Sequence, residues 1–415
     1  MTTDELYARH VIPSYGRFPL TLARGAGTRV WDEDGRAYLD FTSGIAVNSL
    51  GHAHPAMQKA LAAQSATLIH TSNLYLTRPQ AELAARLDGL VGTHGKIFFS
   101  NSGAEANEGL YKLARKHGAP SGRHEIITLE GSFHGRTLAG IAATGQAKVK
   151  LGFEPPVAGF VNVPATLESV QAAVNDRTAA ILVEPIQGEG GVRPLDAGFV
   201  RGLRALCDAH GMLLLYDEVQ CGLGRTGDWC GWHATGAPEA VPDGISWAKG
   251  IGGGFPLGAF WARDRATAGG GSLADLLGPG THATTYGGSP LACAVALAVL
   301  DTIEKESLLA NTRERSAQLR EAVTALASPV IRGIRGAGLL LGIEIADFRW
   351  RGQTGPDGKT PALRLTLKLL ERGLLVVPAG ETVIRLLPPL NVRAAECDEA
   401  VTILRDTLAL AEPLS

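Results

Sequence analysis

The stretch Leu213-Leu214-Leu215-Tyr216-Asp217-Glu218-Val219-Gln220 places an acidic residue directly after a run of apolar side chains. A continuous apolar run of this length is typical of a strand that is buried on both faces of a parallel sheet. Open α/β sheets bind ligands beyond the carboxyl ends of their strands, so Asp217 stands where such a fold places functional groups. A carboxylate there binds a metal, orients a ribose or pairs with a protonated ring nitrogen, and a helix cap explains it equally well.

Similar apolar runs recur along the chain and alternate with amphipathic patterns. The predicted strands are residues 96–99, 125–129, 179–183, 212–216 and 259–262. The predicted helices are residues 104–117, 167–174 and 199–210. This rhythm predicts the α/β class, with a large three-layer αβα domain built on a mostly parallel sheet.

The chain has 415 residues, more than one hydrophobic core usually serves, and this length predicts two domains. A long helical pattern over residues 292–327 leads into a second, smaller α+β domain. Residues 28–41, with Trp31 and Tyr38 flanking an Asp-Glu-Asp-Gly turn, predict a hairpin that packs with this small domain. The expected division is an N-terminal segment that contributes to the small domain (1–50), a large cofactor-binding domain (51–305) and the C-terminal small domain (306–415).

The charge balance limits the classes of partner. With 39 basic and 41 acidic residues the formal net charge is -2, so no global field attracts nucleic acid or an anionic membrane. The five cysteines include no C-x-x-C pair, and neither a zinc site nor a disulfide framework is indicated. No apolar run is long enough to span a bilayer, and residues 1–9 lack the features of a secretory signal. We expect a cytoplasmic protein with a small-molecule substrate, without metal, nucleic acid or membrane.

A lysine ends another apolar segment, in Ser246-Trp247-Ala248-Lys249-Gly250-Ile251-Gly252-Gly253-Gly254. Burial disfavours the charged form of a lysine, so its amine can attack carbonyl groups and then carry protons. The alternative is a solvated lysine before a loop, which the glycines that follow make less favourable. No G-x-G-x-x-G opens a helix after an early strand, so a Rossmann-type dehydrogenase is not indicated.

Ser102-Gly103-Ala104 follow a predicted strand and open a predicted helix. Free backbone N–H groups and the helix dipole make such a helix start an anion site. Taken alone, the motif is also explained by an ordinary N-cap formed by Ser102.

Together these motifs resemble the class III, ornithine-type aminotransferases of the aspartate aminotransferase fold, which is pyridoxal-phosphate fold type I. The resemblance runs from about Tyr15 to Pro389 and keeps the family's order of signatures, which here are Asn101-Ser102-Gly103-Ala104-Glu105-Ala106-Asn107-Glu108, Phe133-His134-Gly135-Arg136-Thr137, Glu184-Pro185-Ile186-Gln187-Gly188-Glu189-Gly190-Gly191, Asp217-Glu218-Val219-Gln220 and Lys249. It implies pyridoxal 5'-phosphate as the cofactor. Lys249 would hold it as a Schiff base and act as base and acid in the proton shift.

The resemblance also assigns the residues that bind the cofactor. They are Ser102, Gly103 and Ala104 at the phosphate, Asp217 at the protonated pyridine nitrogen, Gln220 near the ring hydroxyl, and Phe133 and Val219 on the two faces of the ring. Thr285 would reach the phosphate in the partner subunit, which implies a homodimer with shared sites. For Glu184 a structural role and a role near the ring remain equally open.

Two arginines are candidates for binding substrate carboxylates, since a guanidinium pairs with a carboxylate in bidentate fashion. In the family, the arginine of an Ile-Arg-Leu-Leu-Pro-Pro segment binds the keto acid and is masked by a glutamate while the amine donor is bound. Here these residues are Arg385 and Glu189. Arg136 would hold the carboxylate of the donor with help from Thr284, and Tyr15 is also assigned to the substrate site.

The blocks Ile69-His70-Thr71-Ser72-Asn73-Leu74-Tyr75 and Gly44-Ile45-Ala46-Val47-Asn48-Ser49-Leu50-Gly51-His52-Ala53-His54-Pro55 resemble most the acetylornithine branch of the family. That branch transfers the terminal amino group of N2-acetyl-L-ornithine to 2-oxoglutarate by ping-pong chemistry. The products are N-acetyl-L-glutamate 5-semialdehyde and L-glutamate, in arginine biosynthesis.

Some positions depart from the commonest family pattern and leave the donor open. Thr284, Tyr286 and Ser289 stand where serine, phenylalanine and asparagine are frequent. The alternative donors are succinyl-diaminopimelate, ornithine and 4-aminobutyrate. An aminomutase, a decarboxylase and a non-catalytic binding protein on the same fold are further alternatives, and the presence of Lys249 and Asp217 speaks against the last.

Overall fold

The structure is a computed structural model, and it describes residues 1–353 and 357–414. Its N-terminal elements are α1 (Thr3–His10), β1 (Leu22–Ala26), β2 (Arg29–Asp32), β3 (Ala37–Asp40) and the short turn α2 (Ser43–Ala46). Strands β2 and β3 pair antiparallel, with Arg29 opposite Leu39. The hairpin predicted for residues 28–41 is therefore confirmed.

The middle of the chain alternates strands and helices. In chain order these elements are α3 (Pro55–Ser65), α4 (Arg78–Val91), β4 (Gly95–Ser100), α5 (Gly103–Gly118), β5 (Glu125–Leu129), α6 (Leu138–Ala143), β6 (Phe160–Val163), α7 (Leu167–Ala173), β7 (Thr178–Val183), β8 (Ile186–Gln187), β9 (Arg193–Pro194), α8 (Ala197–His210), β10 (Leu213–Asp217), β11 (Gly244–Trp247), β12 (Gly258–Arg263) and α9 (Pro290–Lys305).

The central sheet has seven strands in the order β4-β12-β11-β10-β7-β5-β6. Only β12 runs antiparallel to its neighbours, so the predicted mostly parallel sheet is confirmed. Every predicted strand is present, but β6 and β11 were not predicted. Asn162 interrupts the apolar run of β6, and Ser246 interrupts that of β11.

Strand β10 is apolar throughout because helices cover both faces of the sheet. Leu213 and Leu215 pack against the cluster that contains residues of α5, and Leu214 and Tyr216 pack against the cluster that contains residues of α4, α8 and α9. Successive side chains of a strand point to opposite faces. Two covered faces therefore require apolar side chains at consecutive positions, as the sequence has them.

The C-terminal elements are α10 (Leu308–Ala325), β13 (Ile331–Ala337), β14 (Leu340–Ile345), β15 (Phe348–Trp350), α11 (Pro361–Glu371), β16 (Leu374–Leu375), β17 (Val377–Ala379), β18 (Val383–Leu386), α12 (Ala394–Leu408) and β19 (Ala411–Pro413). The continuous helix predicted over residues 292–327 is wrong. Helix α9 ends at Lys305 and α10 begins at Leu308, because Ser307 adopts the left-handed conformation with φ +53°. A helix cannot pass through such a residue.

A separate hydrophobic core joins the two ends of the chain. Leu39 and Phe41 pack in one cluster with Ile343, Ile384 and Leu386. Strand β3 also pairs parallel with β16. The N-terminal hairpin thus packs with the C-terminal elements, as expected, while the division at residues 50 and 305 stays a prediction.

Candidate active site

A cavity of about 560 Å³ lies at the carboxyl ends of the parallel strands β4, β7, β10 and β11. It is lined by most of the predicted site residues, which are Tyr15, Ser102, Gly103, Ala104, Phe133, Arg136, Glu189, Asp217, Val219, Gln220 and Lys249. A larger cavity of about 870 Å³ is lined by Lys150, Asn162 and Arg193 among others, and it contains none of the predicted site residues. We therefore assign the candidate active site to the smaller cavity.

Lys249 begins a short 3₁₀ turn, Lys249–Gly252, just beyond strand β11. Its backbone has φ +45°, in the left-handed region that residues other than glycine rarely adopt. Such a conformation costs about 1–3 kcal/mol, and strained residues of this kind cluster at functional sites. Burial lowers the pKa of the Lys249 ammonium, so more of the amine is neutral near pH 7 than for an exposed lysine.

Asp217 is held by two buried partners. His134 Nδ1 lies 2.8 Å from Asp217 Oδ2, and Asn107 Nδ2 donates to the same oxygen at 2.7 Å. Ser246 Oγ donates to Asn107 Oδ1 at 2.6 Å and so fixes the orientation of the amide. The other carboxylate oxygen, Oδ1, accepts from the backbone N–H of Val219 at 3.1 Å. These bonds fix the plane and direction of the carboxylate at the cavity wall.

The sequence motifs assigned no role to Asn107, His134 or Ser246. A signal for one of them was present, because Asn107 stands among Ala106, Leu110 and Tyr111 on the buried face of α5. A buried amide among apolar side chains needs hydrogen-bond partners. The sequence could not identify those partners, since Asp217 is 110 positions away.

Glu184, whose role was left open, lines the cavity and is buried. Its carboxylate accepts from the backbone N–H of Phe133 at 2.7 Å and of Gly188 at 3.1 Å. Burial raises the pKa of Glu184 to about 7. Glu184 thus links the loop that carries Phe133 to the loop that carries Glu189, and this contact favours a structural role.

The start of helix α5 forms one end of the cavity. Ser102 caps the helix by accepting from the N–H of Glu105. The first backbone N–H groups of a helix have no partner within it, and here they include those of Gly103 and Ala104. A Cβ atom at Gly103 would lie 2.7 Å from Val219 Cγ1, so this position has no space for a side chain. The geometry suits a bound anion.

The two candidate arginines differ in their surroundings. Arg385 is only 1% exposed and makes a bidentate pair with Glu189, at 2.6 Å from Nη1 and 3.0 Å from Nη2. Although burial opposes it, Arg385 lowers the pKa of Glu189 below its ordinary value. Arg136 is exposed, and its guanidinium carbon lies 5.3 Å from the centroid of the Phe133 ring.

Three predicted residues do not line the cavity, and they are Arg385, which pairs with the lining residue Glu189, Thr284 and Thr285. Thr284 Oγ1 accepts from Asn101 Nδ2 at 3.2 Å, so Thr284 lies beside the residues that precede helix α5. Thr285 is exposed and neighbours the exposed Tyr286. An exposed position is compatible with the expected contact to a partner subunit, which stays a prediction.

Within residues 1–353 and 357–414, no cluster of three or more histidine, cysteine or carboxylate side chains is arranged to hold a metal ion. No helix in this part of the chain has both the length and the apolar character needed to cross a membrane.

The chain matches the family model "Aminotransferase class-III" over residues 11–408. It is 47% identical to an acetylornithine aminotransferase of Myxococcus xanthus, over 94% of this chain and 93% of that protein. It is 44% identical to one of Caldanaerobacter subterraneus subsp. tengcongensis, over 97% and 98% of the two chains.

Solved structures give the same result. Acetylornithine aminotransferase from Elizabethkingia anophelis is 32% identical, with a TM-score of 0.82 and 98% of each chain covered. Ornithine aminotransferase from Toxoplasma gondii is 30% identical, with a TM-score of 0.88 over 98% of this chain and 93% of that one. The crystal structure of that protein holds pyridoxal phosphate at partial occupancy in its active site. The expected pyridoxal-phosphate fold type I is confirmed, and the chain belongs to the class III aminotransferase family.

Proposed function

We propose that this aminotransferase moves the terminal amino group of N2-acetyl-L-ornithine to 2-oxoglutarate, with pyridoxal 5'-phosphate as its cofactor. The observation that carries the proposal is the arrangement of Lys249 and Asp217. A lysine with a lowered pKa and a carboxylate fixed by hydrogen bonds line one cavity at the carboxyl edge of the sheet. The acetylornithine aminotransferases to which the chain is similar support the choice of donor.

The residues around the cavity fit the chemical groups of this cofactor. The amine of Lys249 would hold it covalently, and the start of α5 at Gly103 and Ala104 would hold its phosphate. Asp217 would accept a hydrogen bond from the protonated pyridine nitrogen, since its carboxylate has a fixed orientation at the wall of the cavity. When bound, pyridoxal phosphate supplies an electron sink for the negative charge that develops at the reacting carbon.

Lys249 would also carry the proton of the amino-transfer reaction. A general base works best when its pKa lies near the working pH, and burial moves the pKa of Lys249 in that direction. The left-handed backbone at Lys249 fixes the origin of the side chain where the glycine-rich turn begins. We assign both the covalent and the proton-transfer role to this one amine.

Two arginines would recognise the two substrates at different times. Arg136 is exposed at the cavity and would bind the carboxylate of the amine donor. Arg385 is paired with Glu189 and would bind the keto acid once Glu189 moves aside. While Glu189 is paired with Arg385, its negative charge offsets that of the guanidinium and would reduce the repulsion of a positively charged donor group.

Free ornithine is the second candidate donor. The structural similarity to the T. gondii ornithine aminotransferase, with a TM-score of 0.88, supports this candidate. The curated relatives with higher identity are acetylornithine aminotransferases, and this favours the acylated donor.

We further propose a homodimer in which Thr285 reaches the partner's cofactor. The exposed segment at Leu74, Tyr75 and Leu76, together with exposed Tyr286 beside Thr285, supports this proposal, because large apolar patches on soluble proteins mark interfaces. The cytoplasmic location stays a prediction.

The absorbance spectrum of the purified enzyme tests the proposal. We expect the band of the bound cofactor to be bleached by N-acetylornithine and restored by 2-oxoglutarate. Lys249→Ala is the control, because without the amine the bleaching should be slowed by about 10²–10⁴-fold or more. If ornithine but not N-acetylornithine bleaches the band, the donor is ornithine. A protein that acquires no band with added cofactor would contradict the proposal.

A further inference from the structure

Besides Glu189, Arg385 has a second side-chain partner that lines the cavity, which is Gln220. Arg385 Nη1 donates to Gln220 Oε1 at 3.0 Å as well as to Glu189. On the other side of the guanidinium, Nη2 donates to the carbonyl oxygen of Pro378 at 3.1 Å. Gln220 is buried, whereas the side chain of Glu189 is 30% exposed. Glu189 is therefore the more accessible of the two side-chain partners of Arg385, and Gln220 is the more enclosed.

The position of the Gln220 amide depends on the loop that carries Glu189. A Cβ atom at Gly188 would lie 2.1 Å from Gln220 Oε1, so the amide occupies space that only a glycine leaves open. The N–H of Gly188 donates to Glu184, which fixes the glycine itself. On its other side, Gln220 Nε2 lies 3.5 Å from Glu189 Oε1. Gln220 thus touches both Arg385 and its removable partner.

We infer that Gln220 is a positioning residue that holds the Arg385 guanidinium in place for the carboxylate of the keto acid when Glu189 has moved away. The inference rests on the proposed function and deepens it. An amide oxygen satisfies one N–H of the arginine without cancelling its charge. Arg385 therefore keeps both its orientation and its full attraction for an incoming carboxylate.

The chemistry of the amide makes the inference testable at Gln220 itself. In the variant Gln220→Glu a permanent carboxylate would replace the neutral oxygen 3.0 Å from Arg385 and compete with any anionic ligand. Isothermal titration calorimetry of the holoenzyme with glutarate, a dicarboxylate without a keto group, measures this competition without catalysis. We expect the Kd for glutarate to rise by about 10- to 100-fold, the range of a charge-assisted hydrogen bond.

Gln220 is also proposed to lie near the cofactor, so a change of this residue could alter cofactor binding as well. A second variant therefore leaves Gln220 in the sequence and only displaces its side-chain amide. In Gly188→Ala the new methyl group would lie 2.1 Å from Gln220 Oε1 and push the amide away from Arg385. Gly89→Ala is the matched control, since Gly89 is exposed on α4 and a Cβ there meets nothing within 4 Å.

Rates of the two half-reactions, followed by absorbance, complete the test. Gly188→Ala should raise the KM for 2-oxoglutarate at least ten times more than the KM for the amine donor, and Gly89→Ala should change neither. An unchanged Kd for glutarate in Gln220→Glu, or an equal loss in both half-reactions of Gly188→Ala, would overturn the inference. Failure of the proposed function would appear differently, as a wild-type enzyme that binds glutarate but is not bleached by N-acetylornithine.

Discussion

His134 Nδ1 lies 2.8 Å from Asp217 Oδ2, and both side chains are buried. We expect His134→Leu to weaken cofactor binding by about 10- to 100-fold, because a buried carboxylate loses a charge-assisted partner. Titration of the protein with pyridoxal phosphate, followed by absorbance, gives the Kd. His94→Gln is the control, since the His94 side chain is 97% exposed. Equal affinities of the two variants would show that His134 does not position Asp217.

Glu184 predicts a pH dependence of stability. Its pKa is raised by burial from 4.5 to about 7. Between these values the folded state binds more protons than the unfolded state, so the free energy of unfolding falls as the pH rises, by up to about 1.4 kcal/mol per pH unit. We expect Glu184→Gln to flatten this slope between pH 4.5 and 7, measured by urea unfolding at constant cofactor concentration.

The control for this measurement is Glu321→Gln, which changes an exposed carboxylate on α10. It should leave the slope as in the wild type. A slope that is the same in Glu184→Gln and in the wild type would contradict the assignment of this proton to Glu184.

Arg136 predicts a selective effect on the amine donor. In Arg136→Leu the KM for N-acetylornithine should rise by about 10- to 100-fold, because a bidentate pair with the donor carboxylate is lost. The Kd for glutarate should change less, since Arg385 remains. Steady-state kinetics and calorimetry check the two parts. The assignment is wrong if the KM for the donor stays within about twofold of the wild type.

The apolar segment around Leu76 predicts an interface. Leu74 is 86% exposed and Leu76 is fully exposed in the single chain. We expect Leu76→Asp to produce monomers with little activity, measured by sedimentation velocity and by the absorbance assay, because a buried unpaired carboxylate destabilises an interface. Leu410→Asp, at an exposed position after α12, should leave the assembly unchanged. A wild-type protein that sediments as a monomer would contradict the proposed dimer.

The sequence predicts a strand such as Leu213–Asp217, whose apolar run is unbroken because both of its faces are covered. It does not predict β6 and β11, where Asn162 and Ser246 serve hydrogen bonds that depend on distant residues. The break at Ser307 also escaped, because serine is compatible with a helix and only the backbone angle shows the turn.

The candidate site shows the same limit. Lys249 and Asp217 stand at the ends of predictable strands, so their shared cavity follows from the topology of a parallel sheet. Arg385 and Glu189 are 196 positions apart, and only the family resemblance paired them before the structure did. Asn107 and His134 were missed because their function is to hold another side chain, which leaves no local pattern.

The pair of Arg385 and Glu189 also joins two segments that are distant in the sequence. Arg385 stands in β18, beside residues of the C-terminal core, and Glu189 stands between β8 and β9, which form a separate two-stranded sheet. A substrate carboxylate that takes the place of Glu189 would therefore remove one ion pair between the C-terminal core and the β8–β9 sheet. The arginine that we propose to bind the substrate would in this way also be a structural link, and occupancy of the site would loosen the contact between β18 and the β8–β9 sheet.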